Sequence, residues 1–289
     1  MLRPTNRPLS LQRLVAGLSR RGRETGKLAF LSTRLLLSRK PIWIDYGRIR
    51  LPFHGDGDRQ ELYYHLYVKE WWDKELRLIS PHLKPGAVVI DVGANIGFMS
   101  GIFSKLAGAN GRVYSFEPSH SVYAKLLQVI KTNEYRNVVP YNLGCGSHDQ
   151  SMTLHGALSS GNASLRSDAA SENPQRKSEP VRIISLDEFL GPKLERLDFL
   201  KIDTEGFEDQ VLLGAEQIIR RLMPIIYIEF SLEYADSSER AMNLLQRHGY
   251  AFDREVDLQK CRNGDNFFAL PPNPGAAHLL GDRQVDFAS

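Results

Sequence analysis

Between residues 87 and 271 short apolar runs alternate with longer amphipathic stretches. The runs AVVIDV (87–92), GRVYSFEP (111–118), NVVPYNLGCG (137–146), LDFLKID (197–203), PIIYIEF (224–230) and NFFALP (266–271) read as strands. VRIISLDEFL (181–190) reads as a further strand leading into a short helical turn. AVVIDV is apolar without alternation up to its acid, as expected of a strand covered on both faces. The stretches FMSGIFSKLA (98–107), HSVYAKLLQVIKTNE (120–134), EDQVLLGAEQIIRRL (208–222) and SSERAMNLLQRHGY (237–250) carry apolar positions at helical spacing. Gly108, Gly111 and Gly249 mark helix ends. This alternation predicts a doubly wound α/β fold, with a mostly parallel seven-stranded sheet and right-handed crossovers. Ahead of it, PIWIDYGRIRLPF (41–53) alternates as a hairpin turning at Gly47. QELYYHLYVKEWWDKELRLISPHL (60–83) predicts one or two helices, interrupted by Pro81. The polar segment SENPQRKSEP (171–180) is loop.

The expected organisation is therefore a leading arm (1–40), a hairpin and helical lead-in that could serve as a lid (41–86), the α/β domain (87–275) and a tail (276–289). Charge sets the arm apart. Residues 1–40 hold ten Lys/Arg against the single acid Glu24, a net +9, while the remainder carries −6. The arm's apolar runs are interrupted by arginine and fall short of the ~20 residues a bilayer crossing needs. Three readings stay open for it: a solvated or partly helical extension, a basic amphipathic helix on an anionic membrane surface, or a transit peptide. Cys145 and Cys261 are far apart and in no metal-binding spacing, which fits reduced thiols in a cytoplasmic protein. The protein is thus expected in the cytoplasm, with peripheral contact at the inner membrane face through residues 1–40.

In a doubly wound sheet, ligands sit beyond the carboxyl ends of the strands. Four apolar runs end there on acids: Asp91, Glu117, Asp203 and Glu229. After Asp91 comes a turn, Gly93-Ala94-Asn95-Ile96-Gly97, where a missing Cβ would let a ligand approach the backbone. Glu117, followed by Pro118, is placed to accept hydrogen bonds from a ribose diol. A dinucleotide fingerprint would read GxGxxG, but Asn95 stands at its middle glycine. Asp91 would also repel a diphosphate and would suit a cationic amino-acid tail. These features favour S-adenosylmethionine (SAM), with an NAD(P) site and a purely structural turn as alternatives.

VIDVGANIG followed by VYSFEP resembles the first two motifs of class I SAM-dependent methyltransferases. ISLDEFL followed by LDFLKIDTEGFEDQVLLGA, with GNASL at 161–165, is similar to the hallmark of the FkbM family. The resemblance covers roughly residues 87–250. It implies a Rossmann-like SAM methyltransferase fold, SAM contacts from Asp91, Gly93, Ala94, Asn95, Gly97, Glu117 and Pro118, and O-methylation of a glycan or natural product.

Methyl transfer to a hydroxyl requires in-line alignment and benefits from a base. Asp203, Glu205 and Glu229 are the candidate catalytic carboxylates, while Lys201 and Asn162 are candidates for substrate contact. Three carboxylates also offer oxygens to Mg²⁺. Phe230, however, stands where a further Asp or Asn would be expected, and no metal is assigned. Glu208 and Asp209 read as first-turn capping residues. The partner expected is a small-molecule or glycan acceptor. DNA is disfavoured, because the fourth core strand ends on KIDTEG instead of an NPPY-like run. A non-catalytic SAM-binding module tethered by the arm is the alternative from another functional class.

Overall fold

The computed structural model describes residues 42–53, 59–155, 165, 178–261 and 264–272. The basic arm, Asn162 and the tail from 276 lie outside the described residues. The chain enters through an antiparallel hairpin, β1 (Ile42–Asp45) and β2 (Arg50–Phe53), followed by helix α1 (Arg59–Ile79). Then come β3 (Val88–Val92), α2 (Phe98–Ala107), β4 (Arg112–Phe116), α3 (His120–Thr132) and β5 (Val138–Tyr141). The strands β6 (Gly144–Cys145), β7 (Gln150–His155) and β8 (Ser178–Ile184) follow. The chain continues with α4 (Leu186–Phe189), β9 (Phe199–Ile202), α5 (Glu208–Leu213), α6 (Glu216–Leu222) and β10 (Ile225–Phe230). Helix α7 (Ala235–Arg247), β11 (Ala251–Phe252) and β12 (Asp265–Leu270) complete the described α-helices and strands.

Seven strands form the main sheet in the order β11-β12-β10-β9-β3-β4-β5. The five from β10 to β5 are mutually parallel, and β12 runs antiparallel to both its neighbours. Chain order runs outward from β3 as β3-β4-β5 on one side and β3-β9-β10 on the other, before β12 inserts between β10 and β11. The reversal beside β3 opens a crevice at the strands' carboxyl ends. Side chains alternate between two apolar layers. Val89, Phe199 and Tyr227 pack with Val68, Trp72, Ile102 and Phe103 from α1 and α2. Ile90, Leu200 and Ile228 pack with Val211, Ile218, Ala241 and Leu245 from α5, α6 and α7.

The structure departs from the sequence reading in three places. The 137–146 run divides between two sheets. Asn142 Nδ2 donates to the carbonyls of Glu117 and Pro118 at 2.9 Å each, and that turn carries the chain out of the main sheet. The run at 181–190 pairs instead with β6 and β7 in a three-stranded sheet, and β11 supplies the seventh main-sheet strand. The stretch 208–222 breaks into α5 and α6 at Gly214, where a Cβ would lie 1.8 Å from the Gly146 carbonyl oxygen. Gly214's own carbonyl accepts from Asp187 N and Ser185 Oγ, while the Asp187 carboxylate caps α6 through Gln217 N (2.9 Å) and Ile218 N (2.8 Å). Helix α1 packs into the buried layer on one face of the main sheet. Trp72 is 1% exposed and meets Phe98 edge-on at 5.6 Å. Ile49 and Leu51 of the entry hairpin belong to the same buried layer. Among the described residues, no helix is long and apolar enough to cross a membrane.

Candidate active site

The Gly93–Gly97 turn joins β3 to α2 through three left-handed residues, Gly93 (φ 74°), Asn95 (φ 51°) and Gly97 (φ 91°). Asparagine tolerates that region better than most residues. A Cβ on Gly93 would sit 1.8 Å from the Asp203 carbonyl oxygen, and one on Gly97 would lie 2.6 Å from Leu126. Both glycines therefore serve the approach of the protein's own groups, where the sequence suggested approach by a ligand. The N–H groups of this turn are also spent internally. Gly93 and Ala94 donate to the Phe116 carbonyl, Asn95 to Glu117 Oε2, Ile96 to Asn95 Oδ1 and Gly97 to the Ala94 carbonyl. Ala94 is itself buried. A diphosphate would find no free donor among these five groups.

Glu117 directly follows β4, its carboxylate fixed by two backbone donors, Asn95 N and Ser119 N, both at 2.9 Å. Burial pushes its pKa up to about 7, against the lowering effect of those bonds. Each oxygen keeps a lone pair for a ligand hydroxyl. Pro118 is half-buried beside it. The neighbouring His120 is engaged by Glu179 of β8, through its N–H (3.1 Å) and its ring Nδ1 (3.0 Å).

Asp91 differs from the expectation. It is 0% exposed, accepts from Ser100 Oγ at 2.5 Å and lies 3.5 Å from the Lys201 ammonium. Burial raises its pKa. A carboxylate so sealed does not face a ligand; the register Asp91↔Lys201 makes it the lysine's counter-ion. Lys201 is likewise no substrate contact, being 3% exposed. Its Nζ donates to the carbonyls of Gly93 (2.8 Å) and Val92 (3.3 Å) and pairs with Asp203 Oδ2 (3.2 Å).

Asp203 and Glu205 follow β9. The Asp203 side chain is 36% exposed. Glu205 is half-buried in left-handed conformation (φ 55°), ahead of Gly206. Burial first, then the charges of Asp203, Glu208 and Glu233, push the Glu205 pKa up to about 8. Glu208 is structural: its Oε1 accepts from Thr204 N, Thr204 Oγ1 and Gly206 N, which fixes the loop that presents Glu205. Asp209 is buried and engaged by Ser237 and Arg240. Glu229 on β10 is half-buried, and burial together with Asp203, Glu205 and Glu208 raises its pKa well above the carboxylate range. Phe207, in the same loop, packs against Leu154, Val181 and Ile183 of the three-stranded sheet, setting that sheet beside Glu205.

Sequence reasoning missed three contributors. Glu75 of α1 accepts from Tyr227 OH at 2.9 Å, and its pKa is raised by burial. Its signal was an acid on the apolar stripe between Trp72 and Ile79. Ser100 and Ser115, bonded at 2.8 Å, extend the buried network around Asp91, and neither gave a sequence signal. Among the described residues, no group of three or more His, Cys, Asp or Glu side chains is arranged to hold a metal ion.

The strand order and the acid-ended second core strand define a Rossmann-like SAM-dependent methyltransferase fold. The chain belongs to the FkbM methyltransferase family: the model described as "Methyltransferase FkbM domain" matches residues 91–252. It is 24% identical over 263 residues to the AMB antimetabolite synthetase AmbE of Pseudomonas aeruginosa, covering 78% of this chain and 12% of the synthetase. The chain thus spans a small part of that relative's length. It is 26% identical over 182 residues to Methyltransferase 1 of Beauveria bassiana, covering 56% of this chain and 72% of that protein. A solved FkbM methyltransferase from Methylobacillus flagellatus is 15% identical with TM-score 0.45, covering 86% of this chain and 60% of that one.

The family's methyl donor is SAM, and the residues present fit it. Glu117 offers carboxylate acceptors for a diol, the crevice wall is acidic, and the turn offers a diphosphate no cradle.

Proposed function

We propose that the protein transfers a methyl group from SAM to a hydroxyl of a sugar, glycan, lipid-linked or natural-product acceptor. The observation that carries this reading is Glu205, a carboxylate beside the crevice whose pKa of about 8 matches a base working near neutrality. The bound donor supplies a methyl group already activated for displacement. The chain's own residues do the rest. Glu117 accepts hydrogen bonds from the ribose hydroxyls. Glu205 would take the acceptor hydroxyl's proton, while the donor, when bound, would give up its methyl group and leave as the neutral thioether S-adenosylhomocysteine. Asp203 is already engaged by Lys201, which suits it to orienting a cationic group more than to removing a proton. Burial and the neighbouring acids raise the Glu229 pKa, which favours its neutral form. The partial match to an antimetabolite synthetase supports a natural-product type of acceptor. The +9 arm supports contact with an anionic membrane surface, where lipid-linked acceptors reside.

The test is turnover of labelled SAM against a panel of hydroxyl-bearing glycans and natural products. Wild-type kcat/KM should rise with pH to a plateau above about 8, the free-enzyme pKa of Glu205. The kcat limb should lie at lower pH, because a cationic donor stabilises the carboxylate. Glu205→Gln should lower kcat by about 10²–10⁴-fold and remove the limb. Binding of S-adenosylhomocysteine without any transfer would favour a non-catalytic module instead.

A further inference from the structure

We propose that Lys201 is a positioning residue for the donor's amino-acid end: from beneath the crevice it holds the Gly93 carbonyl and the Asp203 carboxylate in the one arrangement that receives a cation. The inference rests on the donor assignment above.

Four oxygens from two strands surround one buried ammonium: Gly93 O at 2.8 Å, Asp203 Oδ2 at 3.2 Å, Val92 O at 3.3 Å and Asp91 Oδ1 at 3.5 Å. Lys201 sits in mid-strand, in register with Asp91, yet it reaches the strand ends beyond. That reach needs the four-carbon stem. A 3% exposed position leaves an arginine fork no room. Gly93 and Asp203 are already in contact, since a Cβ on the one would overlap the carbonyl of the other. Both are half-buried, whereas Lys201 and Asp91 retain almost no exposure. The two groups that a ligand can reach are therefore clamped by two that it cannot.

Charge points the same way. Asp203 raises the pKa values of Glu205 and Glu229, so it repels both. Without the lysine, that repulsion and the unpaired Asp91 beneath would move the Asp203 carboxylate away from the Gly93 turn. With it, one carbonyl and one carboxylate present a fixed negative corner. The adenosine end is handled separately, by Glu117 just after β4. Lys201 should accordingly matter for one end of the donor and not for the other.

The test compares two probes by calorimetry. S-adenosylhomocysteine carries the amino-acid end; 5′-methylthioadenosine lacks it. Lys201→Met alone leaves Asp91 buried and unpaired, so the informative variant is Asp91→Asn/Lys201→Met, which removes both charges. Folded by circular dichroism, it should bind methylthioadenosine within about threefold of wild type. Its preference for S-adenosylhomocysteine over methylthioadenosine should fall about ten- to hundredfold, the loss of one or two charge-assisted hydrogen bonds. A role confined to stability would weaken both probes alike or neither, and an unchanged preference overturns the inference. Should the double variant not fold, Asp203→Asn in the wild-type background takes its place; the same collapse is expected, and an unchanged preference again overturns the inference. Wild-type protein that binds neither probe would overturn the donor assignment itself.

Discussion

Replacing Gly93 by alanine tests whether this turn is shaped by the protein's own packing. The added methyl would lie 1.8 Å from the Asp203 carbonyl oxygen and 2.9 Å from its carbon, against ordinary contacts of about 3.5–4 Å. The obstacle is backbone, so no side chain can swing aside. Relief requires parting the ends of β3 and β9. That lengthens the Asp203 N→Val92 O bond (3.3 Å) and the Lys201 Nζ→Gly93 O bond (2.8 Å). A neutral hydrogen bond contributes about 1 kcal/mol and a charged one about 1.5–3 kcal/mol. The left-handed φ of 74° adds about 1–2 kcal/mol for any residue with a Cβ. The sum is about 3.5–6 kcal/mol, comparable to the whole stability of many domains. Gly86→Ala is the control: its φ is 84°, but nothing lies within 4 Å of the added methyl, so only about 1–2 kcal/mol is expected. Urea denaturation followed by far-ultraviolet circular dichroism measures both. A Gly93→Ala cost no greater than that of Gly86→Ala would refute the close approach as the reason for this glycine.

Raised carboxylate pKa values make the ligand-free protein sensitive to alkali. Glu117, at about 7 when folded, binds more protons than the unfolded chain's glutamates (~4.3), so its ionisation penalty is absent below that lower value. The penalty grows to roughly 3 kcal/mol as pH rises through 7. Melting temperature should fall between pH 5 and 8, and Glu117→Gln should flatten the decline. Asp187→Ala should cost about 1 kcal/mol in urea denaturation by uncapping Gln217 N and Ile218 N, and should leave S-adenosylhomocysteine affinity unchanged. The 289-residue chain should float with anionic vesicles and lose that property without residues 1–40; equal flotation of both forms would remove the membrane proposal.

What the sequence determined by itself was local. Alternating runs and amphipathic stretches set the α/β class, because helix and strand periods are written in neighbouring residues. The strand-end acids and the left-handed turn were equally visible, since each depends on a few consecutive positions. Tertiary structure alone decided the partners. VRII reads as one more strand of the α/β sheet, yet β8 pairs with β6 and β7 in a separate sheet, because alternation says which face is buried and not which strand lies alongside. Asp91 and Lys201 read as ligand contacts until register set them opposite one another, sealed beneath the crevice. Glu75 joins Tyr227 across 152 positions of sequence. Gly93 is glycine because of a carbonyl on another strand. In a parallel sheet every neighbour arrives by a crossover, so contacts that position the chemistry join residues far apart in the chain, and no local pattern encodes them.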